Sequence, residues 1–463
     1  MYTIQWNPHA DNRTKHVYFI GIGGVSMSSL AQILADRGIT VSGSDRAPSG
    51  FTKELEAMGI TVHYGQEVSH ITPDVDVVVY TAAVHSDNPE FQAAVKANLP
   101  LLTRADLLGQ IMESFQNSYA IAGTHGKTTT TSMVAEILLA EETDPTICNG
   151  GILPSIGSTT RIGHSQDFVA EACEYTNSFF SFYPRYSIIL NIEEDHLDFF
   201  KDIDDIRNSF RQFMHNTKRD GVCVINGAIP HVEELVQDLP SAWVTFGPDS
   251  SNTYYPQNIS YDENGFGSFD VFCKQEFLCH IQLSVPGEFN IFNALAAIAT
   301  CHCAGISPTA IATGLQQYTG AVRRFEYKGT LNGITVYDDY AHHPTEIRAT
   351  LEAAGHMNYK RIVCVFQPHT YSRTKALLDD FANALSLADV VILTDIFPAR
   401  ETDTLGISSL DLLNQIQKTG TTCYHFDSFE KIHNFILKNS IHEDLLITMG
   451  AGDVVNIGNM LLK

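Results

Sequence analysis

The chain has 463 residues, of which 44% are hydrophobic and 18% are charged, and its formal net charge is -24. A chain of this length exceeds what one hydrophobic core supports, so two or three domains are expected, and the composition argues against a disordered or fibrous protein. The negative charge and the scattered basic residues argue against general nucleic-acid binding, because a phosphodiester backbone would be repelled.

The amino-terminal segment and the cysteine pattern predict a cytosolic protein without membrane insertion. The first residues contain no apolar core like that of a secretory signal, and no run reaches the roughly 20 apolar residues of a membrane span. The nine cysteines are dispersed and odd in number, which favours free thiols. The group Cys301-His302-Cys303 suggests a metal, but it lies in an apolar helical pattern, so we expect structural packing there.

The first predicted unit is a parallel α/β unit. The apolar run His16 to Ile20 is followed by the segment GIGGVSM and a helical pattern. This segment resembles a dinucleotide fingerprint in which Ser26 takes the third glycine position. Asp45 ends the next strand, where an acid could bond a ribose hydroxyl, so a nicotinamide-dependent oxidoreductase is one alternative.

The second unit contains a predicted phosphate loop. The strand Ser118 to Ala122 leads into GTHGKTT (Gly123 to Thr129) and then into an amphipathic helical pattern, TTSMVAEILLA. The glycines let the backbone pass close to phosphate oxygens, and the first amide groups of the helix point at the same anion. Lys127 can neutralise a transferring phosphoryl group, while Thr128 can ligate magnesium. This order favours an ATP loop over a simple strand-to-helix turn, although its spacing is shorter than G-x-x-x-x-G-K-[ST].

Acidic residues follow two later strands of this unit. The strand FVAEACE carries Glu171 and Glu174, and the strand SIILNI ends in Glu193-Glu194-Asp195-His196. Magnesium beside a substrate phosphate needs oxygen ligands, so we expect one carboxylate from a strand end, and the sequence leaves open which. Residues 243 to 285 alternate and turn like a small antiparallel insert, and the helical stretch NIFNALAAIATCHCAG follows.

The third unit repeats the α/β theme with strands at 361–366, 390–396 and 445–453, whose carboxyl ends run into polar or glycine residues. Ligands bind at such strand ends in parallel sheets. The recurrence predicts an α/β protein of three domains, with residues 1–110, 111–321 and 322–463.

Ordered segments along the whole chain together resemble the Mur ligase family of peptidoglycan synthesis. They are GIGGVSM, GTHGKTTTT, EACEYTNSF, NIEEDHLD, GEFNIFNALAAIA, RRFE, DDYAHHPTEI, FQPHTYSRT, DIFPARE and MGAGD. The resemblance implies an ATP- and Mg²⁺-dependent ligase that joins L-alanine to UDP-N-acetylmuramate through an acyl phosphate. It also implies a Rossmann-like amino-terminal domain for the UDP substrate, a central P-loop ATPase domain with a mostly parallel sheet, and a Rossmann-like carboxyl-terminal domain for the amino acid.

Residue roles follow from the resemblance. The ATP-binding residues are Gly123, Thr124, His125, Gly126, Lys127, Thr128, Thr129, Asn290, Asn293, Arg324 and Asp339, and Arg323 could share the work of Arg324. The UDP-substrate residues are Gly21, Gly23, Gly24 and Asp45. Thr128 and Glu174 are the ligands of one magnesium ion and His196 is a ligand of a second, with general-base catalysis or a structural role as the alternatives for His196. His342 and Arg373 bind the amino acid, and the catalytic group is Lys127, Glu174, His196 and His343.

Other functions remain open at this stage. A recycling ligase that attaches a preformed tripeptide to the same sugar nucleotide shares GIGG, GTHGKTT and AHHPT-like motifs, whereas EACEYTNSF and FQPHTYSRT favour the alanine reaction. A nucleotide-binding regulator without turnover is a third possibility. We expect a monomer or a weak homodimer.

Overall fold

The computed structural model describes residues 2–5, 13–81, 83–196, 199–399 and 401–463. They fold into two compact units, the first comprising Met1–Tyr255, Phe272–Phe277 and Ala294–Gly314, and the second Pro256–Val271, Leu278–Asn293 and Leu315–Lys463. Within the described ranges, no helix has the length and apolar character needed to cross a membrane.

The amino-terminal part of the first unit is a parallel α/β fold. Its elements are β1 (His16–Ile20), α1 (Val25–Asp36), β2 (Thr40–Asp45), α2 (Gly50–Ala57), β3 (Thr61–Tyr64), β4 (Val77–Tyr80), α3 (Pro89–Lys96), β5 (Leu101–Thr103) and α4 (Arg104–Glu113). The five strands form one parallel sheet in the order β3-β2-β1-β4-β5. This is the doubly wound arrangement that places ligands at the carboxyl ends of the strands.

The rest of the first unit is built mainly on a second parallel sheet. Its elements are β6 (Asn117–Ala122), α5 (Lys127–Ala140), β7 (Thr146–Leu153), β8 (Ser158–Arg161), β9 (Asp167–Glu171), β10 (Tyr186–Ile189), α6 (Ile203–His215), β11 (Val222–Asn226), α7 (Val232–Val236) and β12 (Ala242–Phe246). The strand order is β12-β11-β10-β6-β9-β7-β8, and every one of these pairs is parallel except the hairpin β7–β8. Strand β6 is almost wholly buried, as expected for the middle of a parallel sheet.

Two expectations for this region were wrong. Helix α5 is not amphipathic, because all residues from Thr128 to Leu138 are buried. One of its buried hydroxyl groups bonds within the helix, because Ser132 Oγ donates to the Thr128 carbonyl at 2.8 Å, whereas the buried Thr131 hydroxyl has no hydrogen-bond partner among the described residues. The antiparallel insert also does not begin at residue 243, because β12 follows the crossover helix α7 and pairs parallel with β11.

The antiparallel segment begins at the next strand. It comprises β13 (Tyr254–Tyr261), β14 (Phe266–Cys273) and β15 (Glu276–Pro286), followed by α8 (Glu288–Cys303) and α9 (Pro308–Gln317). Neighbouring strands of this meander are joined by turns of only a few residues. They must therefore be antiparallel, because a parallel connection needs a crossover of a dozen or more residues.

The carboxyl-terminal part of the second unit is again an α/β fold. Its elements are β16 (Glu326–Leu331), β17 (Ile334–Asp339), α10 (Pro344–Gly355), β18 (Arg361–Phe366), α11 (Tyr371–Ala376), α12 (Leu378–Leu385), β19 (Val390–Leu393), α13 (Ser409–Lys418), β20 (Thr422–His425), α14 (Phe429–Asn439), β21 (Asp444–Met449) and α15 (Val455–Leu461). The sheet order is β16-β17-β21-β18-β19-β20, with only β16 and β17 antiparallel. The predicted α/β class with parallel sheets is thus confirmed.

Candidate active site

The segment Gly123 to Thr129 connects the end of β6 to the start of α5. Gly123 and Gly126 both have positive φ, at 151° and 81°, which is readily accessible only to glycine. A Cβ atom on Gly123 would also lie 2.8 Å from the Leu190 side chain. Gly126 caps the 14-residue helix without a side-chain hydrogen bond. The first amide groups of α5 and the positive end of the helix dipole therefore face this loop, an arrangement that suits an anion.

The side chain of Lys127 bends back over the loop. Its Nζ donates to the carbonyl oxygens of Gly123 and Thr124, at 2.5 and 3.1 Å, and to both carboxylate oxygens of Glu174, at 3.1 and 3.0 Å. Burial is the largest single cause and would lower the pKa of Lys127, but the charge of Glu174, its hydrogen bond and the smaller effects of Cys173 and Glu171 together outweigh it, so the pKa is raised. The ammonium group thus stays charged at the centre of the predicted phosphate site.

Glu174 and Glu171 occupy different positions near this loop. The Glu174 side chain is 3% exposed and contacts Lys127, and one of its oxygens lies 3.8 Å from Nε2 of His196. Glu171 instead accepts a hydrogen bond from the Gly150 amide at 2.6 Å. Of the two acids in the segment FVAEACE, Glu174 is therefore the one that lies against Lys127 and His196.

Backbone conformation and ring packing hold His196 in place. Its φ of 52° is in the left-handed region, and its amide donates to Asp195 Oδ1 at 2.7 Å. The Tyr175 ring packs against the imidazole with 4.6 Å between the ring centroids. Tyr175 was not singled out by the sequence analysis, because ring packing across 21 positions leaves no local pattern.

A second residue that the sequence analysis missed is Asn191, two residues after β10. Its Oδ1 accepts from the His125 amide at 2.8 Å, and its Nδ2 donates to the His125 carbonyl at 3.2 Å. The Glu193 amide also donates to Thr124 Oγ1 at 2.9 Å. The carboxyl end of β10 therefore fixes the course of the phosphate loop, and its only sequence signal was a polar residue after an apolar strand.

The amino-terminal glycine loop lies between β1 and α1. The Gly21 amide donates to the Ser44 carbonyl at 2.8 Å, and the Gly23 amide donates to Asp45 Oδ2 at 2.8 Å. Gly24 is the N-cap of α1 and makes no side-chain hydrogen bond there. Asp45 thus supports the loop itself, while the start of α1 offers amide groups to an anion.

In the second unit, Asn290 and Asn293 lie on one face of α8. Asn290 Nδ2 donates to the Pro286 carbonyl at 2.7 Å, and Asn293 Nδ2 donates to Asn290 Oδ1 at 3.2 Å. Both side chains are buried. These two hydrogen bonds fix the orientation of the side chains relative to each other. A pair of residues that binds a planar base needs such a fixed orientation.

Arg323 has a structural function in the second unit. Its guanidinium donates to Asp338 Oδ2 at 3.0 Å and to the carbonyls of Gly452 and Gly450 at 3.1 and 2.7 Å. The Asp338 side chain is 0% exposed. Of the arginine pair, Arg323 is therefore committed to this buried carboxylate, which leaves Arg324 as the candidate for the nucleotide.

We expect Arg323→Met to destabilise the protein by about 3 kcal/mol, because it leaves the buried Asp338 carboxylate without its charged partner. Urea unfolding of the single variants and of the double variant with Asp338→Asn measures the coupling. The double variant should be more stable than the sum of the two single losses predicts. Additive losses would show that the ion pair contributes nothing of its own.

Asp339 lies at the carboxyl end of β17 and accepts three hydrogen bonds. Oδ1 accepts from the Ala341 amide at 2.7 Å, and Oδ2 accepts from the Phe325 amide and the Thr350 hydroxyl at 3.1 and 3.0 Å. Burial raises the pKa of Asp339 to about 6. The carboxylate therefore shapes the loop that carries the two adjacent histidines.

His342 and His343 follow this strand and start α10. His343 is the N-cap residue, and its Nδ1 accepts from the Thr345 amide at 3.4 Å. His342 Nδ1 lies 3.0 Å from the Tyr340 carbonyl and 3.3 Å from Glu346 Oε2. Burial lowers the pKa of His342 to about 4, so the imidazole is neutral at physiological pH.

Arg373 lies on α11, close to His342. Arg373 Nη1 is 3.3 Å from His369 Nδ1, and the His369 and His342 rings are 5.5 Å apart. The positive charge of Arg373 is one of the causes that lower the pKa of His342, after burial. The structure therefore brings the two predicted amino-acid-binding residues together, and it adds His369, which the sequence analysis did not single out.

The neutral His342 predicts a pH dependence of stability. An unfolded chain protonates histidine near pH 6.5, whereas the pKa of folded His342 is about 4. Between these values the unfolded state binds more protons, so this group's contribution falls as the pH is lowered, by about 3 kcal/mol in all. When the pH is lowered from 7 to 5, the urea midpoint should fall less in His342→Gln than in the wild type. Equal falls would contradict the assignment.

The segment Cys301-His302-Cys303 makes contacts of ordinary packing. Cys301 is fully buried, and the Tyr254 hydroxyl lies 2.8 Å from His302 Nδ1 and 3.6 Å from Cys303 Sγ. Among the described residues all nine cysteines are free thiols. These contacts explain the three residues without a metal.

Sequence profiles of one family match most of the chain. The Mur ligase family catalytic domain matches residues 16–116, the Mur ligase middle domain residues 121–301, and the Mur ligase glutamate ligase domain residues 323–452. A UDP-N-acetylmuramate–L-alanine ligase of Agathobacter rectalis is 57% identical over 448 residues, which are 97% of this chain and 98% of the relative.

Two solved ligase structures superpose on nearly the whole chain. A UDP-N-acetylmuramate-alanine ligase of Thermotoga maritima superposes with a TM-score of 0.81 at 29% identity, covering 96% of this chain and 98% of its own. A murein peptide ligase of Psychrobacter arcticus superposes with a TM-score of 0.72 at 25% identity, covering 97% and 98%.

Proposed function

The chain belongs to the Mur ligase family, and we propose that it joins L-alanine to UDP-N-acetylmuramate in a reaction coupled to the cleavage of ATP to ADP and phosphate. The choice of these two substrates rests on one observation. It is the 57% identity, over nearly the whole of both chains, to a ligase named for these two substrates. The product is a precursor of peptidoglycan, and we place the reaction in the cytoplasm, where ATP is available.

The reaction has two chemical steps. A carboxylate oxygen of the sugar nucleotide attacks the γ-phosphorus of ATP, the bond to ADP breaks, and an acyl phosphate forms. The amino group of L-alanine then attacks the acyl carbon, and inorganic phosphate leaves as the amide is completed. Neither step needs a covalent bond to the protein, so catalysis consists of positioning and electrostatic stabilisation.

The loop from Gly123 to Thr129 supports the ATP half of the proposal. Its amide groups and the α5 dipole bind phosphate oxygens, and Lys127 neutralises charge on the transferring group. We assign the rest of the nucleotide to Asn290, Asn293 and Arg324. We assign Asp339 to ATP binding and His343 to catalysis.

A magnesium ion fits the donors beside the phosphate loop. Thr128 and Glu174 offer the oxygen ligands that Mg²⁺ prefers, and the Glu174 carboxylate is buried and held at the loop. We assign His196, which lies 3.8 Å from Glu174, to a second magnesium ion rather than to general-base catalysis. When bound, such a cation neutralises charge on the phosphates.

The glycine loop of β1 and the pair His342 and Arg373 complete the assignments. We propose that Gly21, Gly23 and Gly24 bind the UDP pyrophosphate with the start of α1, while Asp45 holds the loop in shape. Arg373 would pair with the carboxylate of L-alanine, because a guanidinium fork binds a carboxylate through two parallel hydrogen bonds. We keep residues 1–110, 111–321 and 322–463 as the three functional domains, and a monomer or weak homodimer as the assembly.

A phosphate-release assay with two alternative amines tests this proposal. The protein is mixed with ATP, Mg²⁺ and UDP-N-acetylmuramate, and either L-alanine or a tripeptide is added. We expect release with L-alanine, and release only with the tripeptide would favour the murein peptide ligase activity that the second structural relative suggests. Release with neither amine would contradict both ligase functions.

A further inference from the structure

The contacts of Lys127 suggest how the site distinguishes two forms of ATP. An ammonium group has three hydrogens to donate, and Lys127 uses them on two loop carbonyls and the Glu174 carboxylate. A phosphate oxygen that approaches Lys127 must therefore replace one of these partners. Glu174 is the partner that a phosphate affects most, because both are anionic.

We propose that Glu174 is a latch on Lys127 that makes the site selective for metal-complexed ATP over free ATP. The inference rests on the proposed ATP site. Free ATP has to pull Lys127 away from Glu174, and it then leaves a carboxylate that is 3% exposed next to a polyphosphate. A buried carboxylate that loses its cation is strongly unfavourable, and the phosphate adds like-charge repulsion.

A divalent cation removes both penalties at once. Held by Thr128 and Glu174, it would take the place of Lys127 as the counterion of Glu174 and would neutralise charge on the phosphate. Lys127 is then released to the γ-phosphate, which is where phosphoryl transfer needs a positive charge. By linkage, the cation raises the affinity for ATP by the same factor as ATP raises the affinity for the cation.

Glu171 provides a charge-matched control for this latch. Its charge also helps to raise the pKa of Lys127, but its oxygen accepts from the Gly150 amide. Glu171→Gln therefore removes one negative charge near the loop and leaves the Lys127–Glu174 pair intact. Glu174→Gln removes the same charge and weakens the latch, with little change in side-chain volume.

Calorimetric titration distinguishes the latch from a general effect of negative charge near the loop. Wild type, Glu174→Gln and Glu171→Gln are titrated with ATP in EDTA and with ATP in excess Mg²⁺. We expect Glu174→Gln to bind free ATP at least about tenfold more tightly than wild type, equivalent to about 1.4 kcal/mol, and to bind the magnesium complex more weakly. Glu171→Gln should tighten free-ATP binding less than about threefold.

Two results would overturn the latch alone. One is a Glu174→Gln variant whose affinity for free ATP equals or falls below that of the wild type. The other is an equal gain in Glu171→Gln, which would make the effect one of general charge. Wild-type protein that binds ATP neither with nor without Mg²⁺ would instead overturn the proposed ATP site and the latch together.

The reciprocal variant tests the same pair from the other side and does not depend on the folding of Glu174→Gln. Lys127→Met frees Glu174, so Mn²⁺ followed by electron paramagnetic resonance should bind at least about tenfold more tightly than to wild type in solutions without nucleotide. Lys201→Met, which changes a side chain that is 86% exposed, should leave Mn²⁺ binding unchanged. Equal or weaker Mn²⁺ binding by Lys127→Met would overturn the latch.

Discussion

Replacing Lys127 with methionine is expected to lower kcat/KM for alanine-dependent phosphate release by about a thousandfold, or about 4 kcal/mol of transition-state stabilisation. Lys127 is the cation at the centre of the phosphate loop, and its charge is maintained by Glu174. Methionine keeps the linear side chain and removes only the charge and the donors. The loss should therefore appear in the phosphoryl-transfer step, which is common to all amine substrates.

The control for this prediction is Lys201→Met, because Lys201 is exposed and lies outside the loop. It should retain wild-type kinetics within about twofold. Melting temperatures of both variants establish that each one folds. A Lys127→Met variant with more than about a tenth of the wild-type kcat/KM would contradict the assignment of this lysine to phosphoryl transfer.

Arg373→Lys is expected to raise KM for L-alanine about a hundredfold while KM for ATP stays within about threefold. Lysine keeps the positive charge but loses the planar fork that binds both oxygens of a carboxylate. Arg373 lies beside His369, and its charge helps to lower the pKa of His342. The three side chains therefore form one polar cluster in the carboxyl-terminal α/β fold.

A matched control for Arg373→Lys is Arg348→Lys, because Arg348 is an exposed arginine on α10. Its kinetic constants should equal those of the wild type. An Arg373→Lys variant with an unchanged KM for L-alanine and a raised KM for ATP would place this arginine on the nucleotide instead. Steady-state kinetics with each substrate varied in turn provide all of these values.

Much of the fold could be predicted because buried parallel strands leave a local signal. The strands His16–Ile20 and Arg361–Phe366 have the bounds that the apolar runs indicated. Each run is continuous, since both faces of a parallel sheet are covered, and each one leads towards a turn at the carboxyl end. The phosphate loop was found for the same reason, because Gly123 to Lys127 are consecutive in the sequence.

Features that depend on distant packing could not be predicted. The hydroxyl groups of α5 give it an amphipathic pattern, but every residue from Thr128 to Leu138 is buried. The direction of β12 depends on the short helix α7, which the sequence analysis did not identify. Contacts between side chains that are far apart in the sequence also leave no local pattern.

Hydrogen bonds and ion pairs in the structure distinguish between candidate site residues that the motifs left equal. Lys127 and Glu174 are 47 positions apart, and the sequence offered Glu171 as an equal alternative. Arg323 and Arg324 are adjacent, and only the contact with the buried Asp338 separates a structural arginine from a candidate for binding. Asp45 had the position of a ribose-binding acid, and its carboxylate bonds the Gly23 amide.

We propose that the chain activates a carboxylate by phosphorylation and passes it to L-alanine. The transfer of oxygen that this requires can be measured with UDP-N-acetylmuramate that carries ¹⁸O in both carboxylate oxygens. After incubation with ATP, Mg²⁺ and L-alanine, mass spectrometry should find one ¹⁸O atom in each released phosphate and one in the alanine amide. Unlabelled phosphate, or labelled phosphate with no alanine adduct, would show that the carboxylate is not activated in this way.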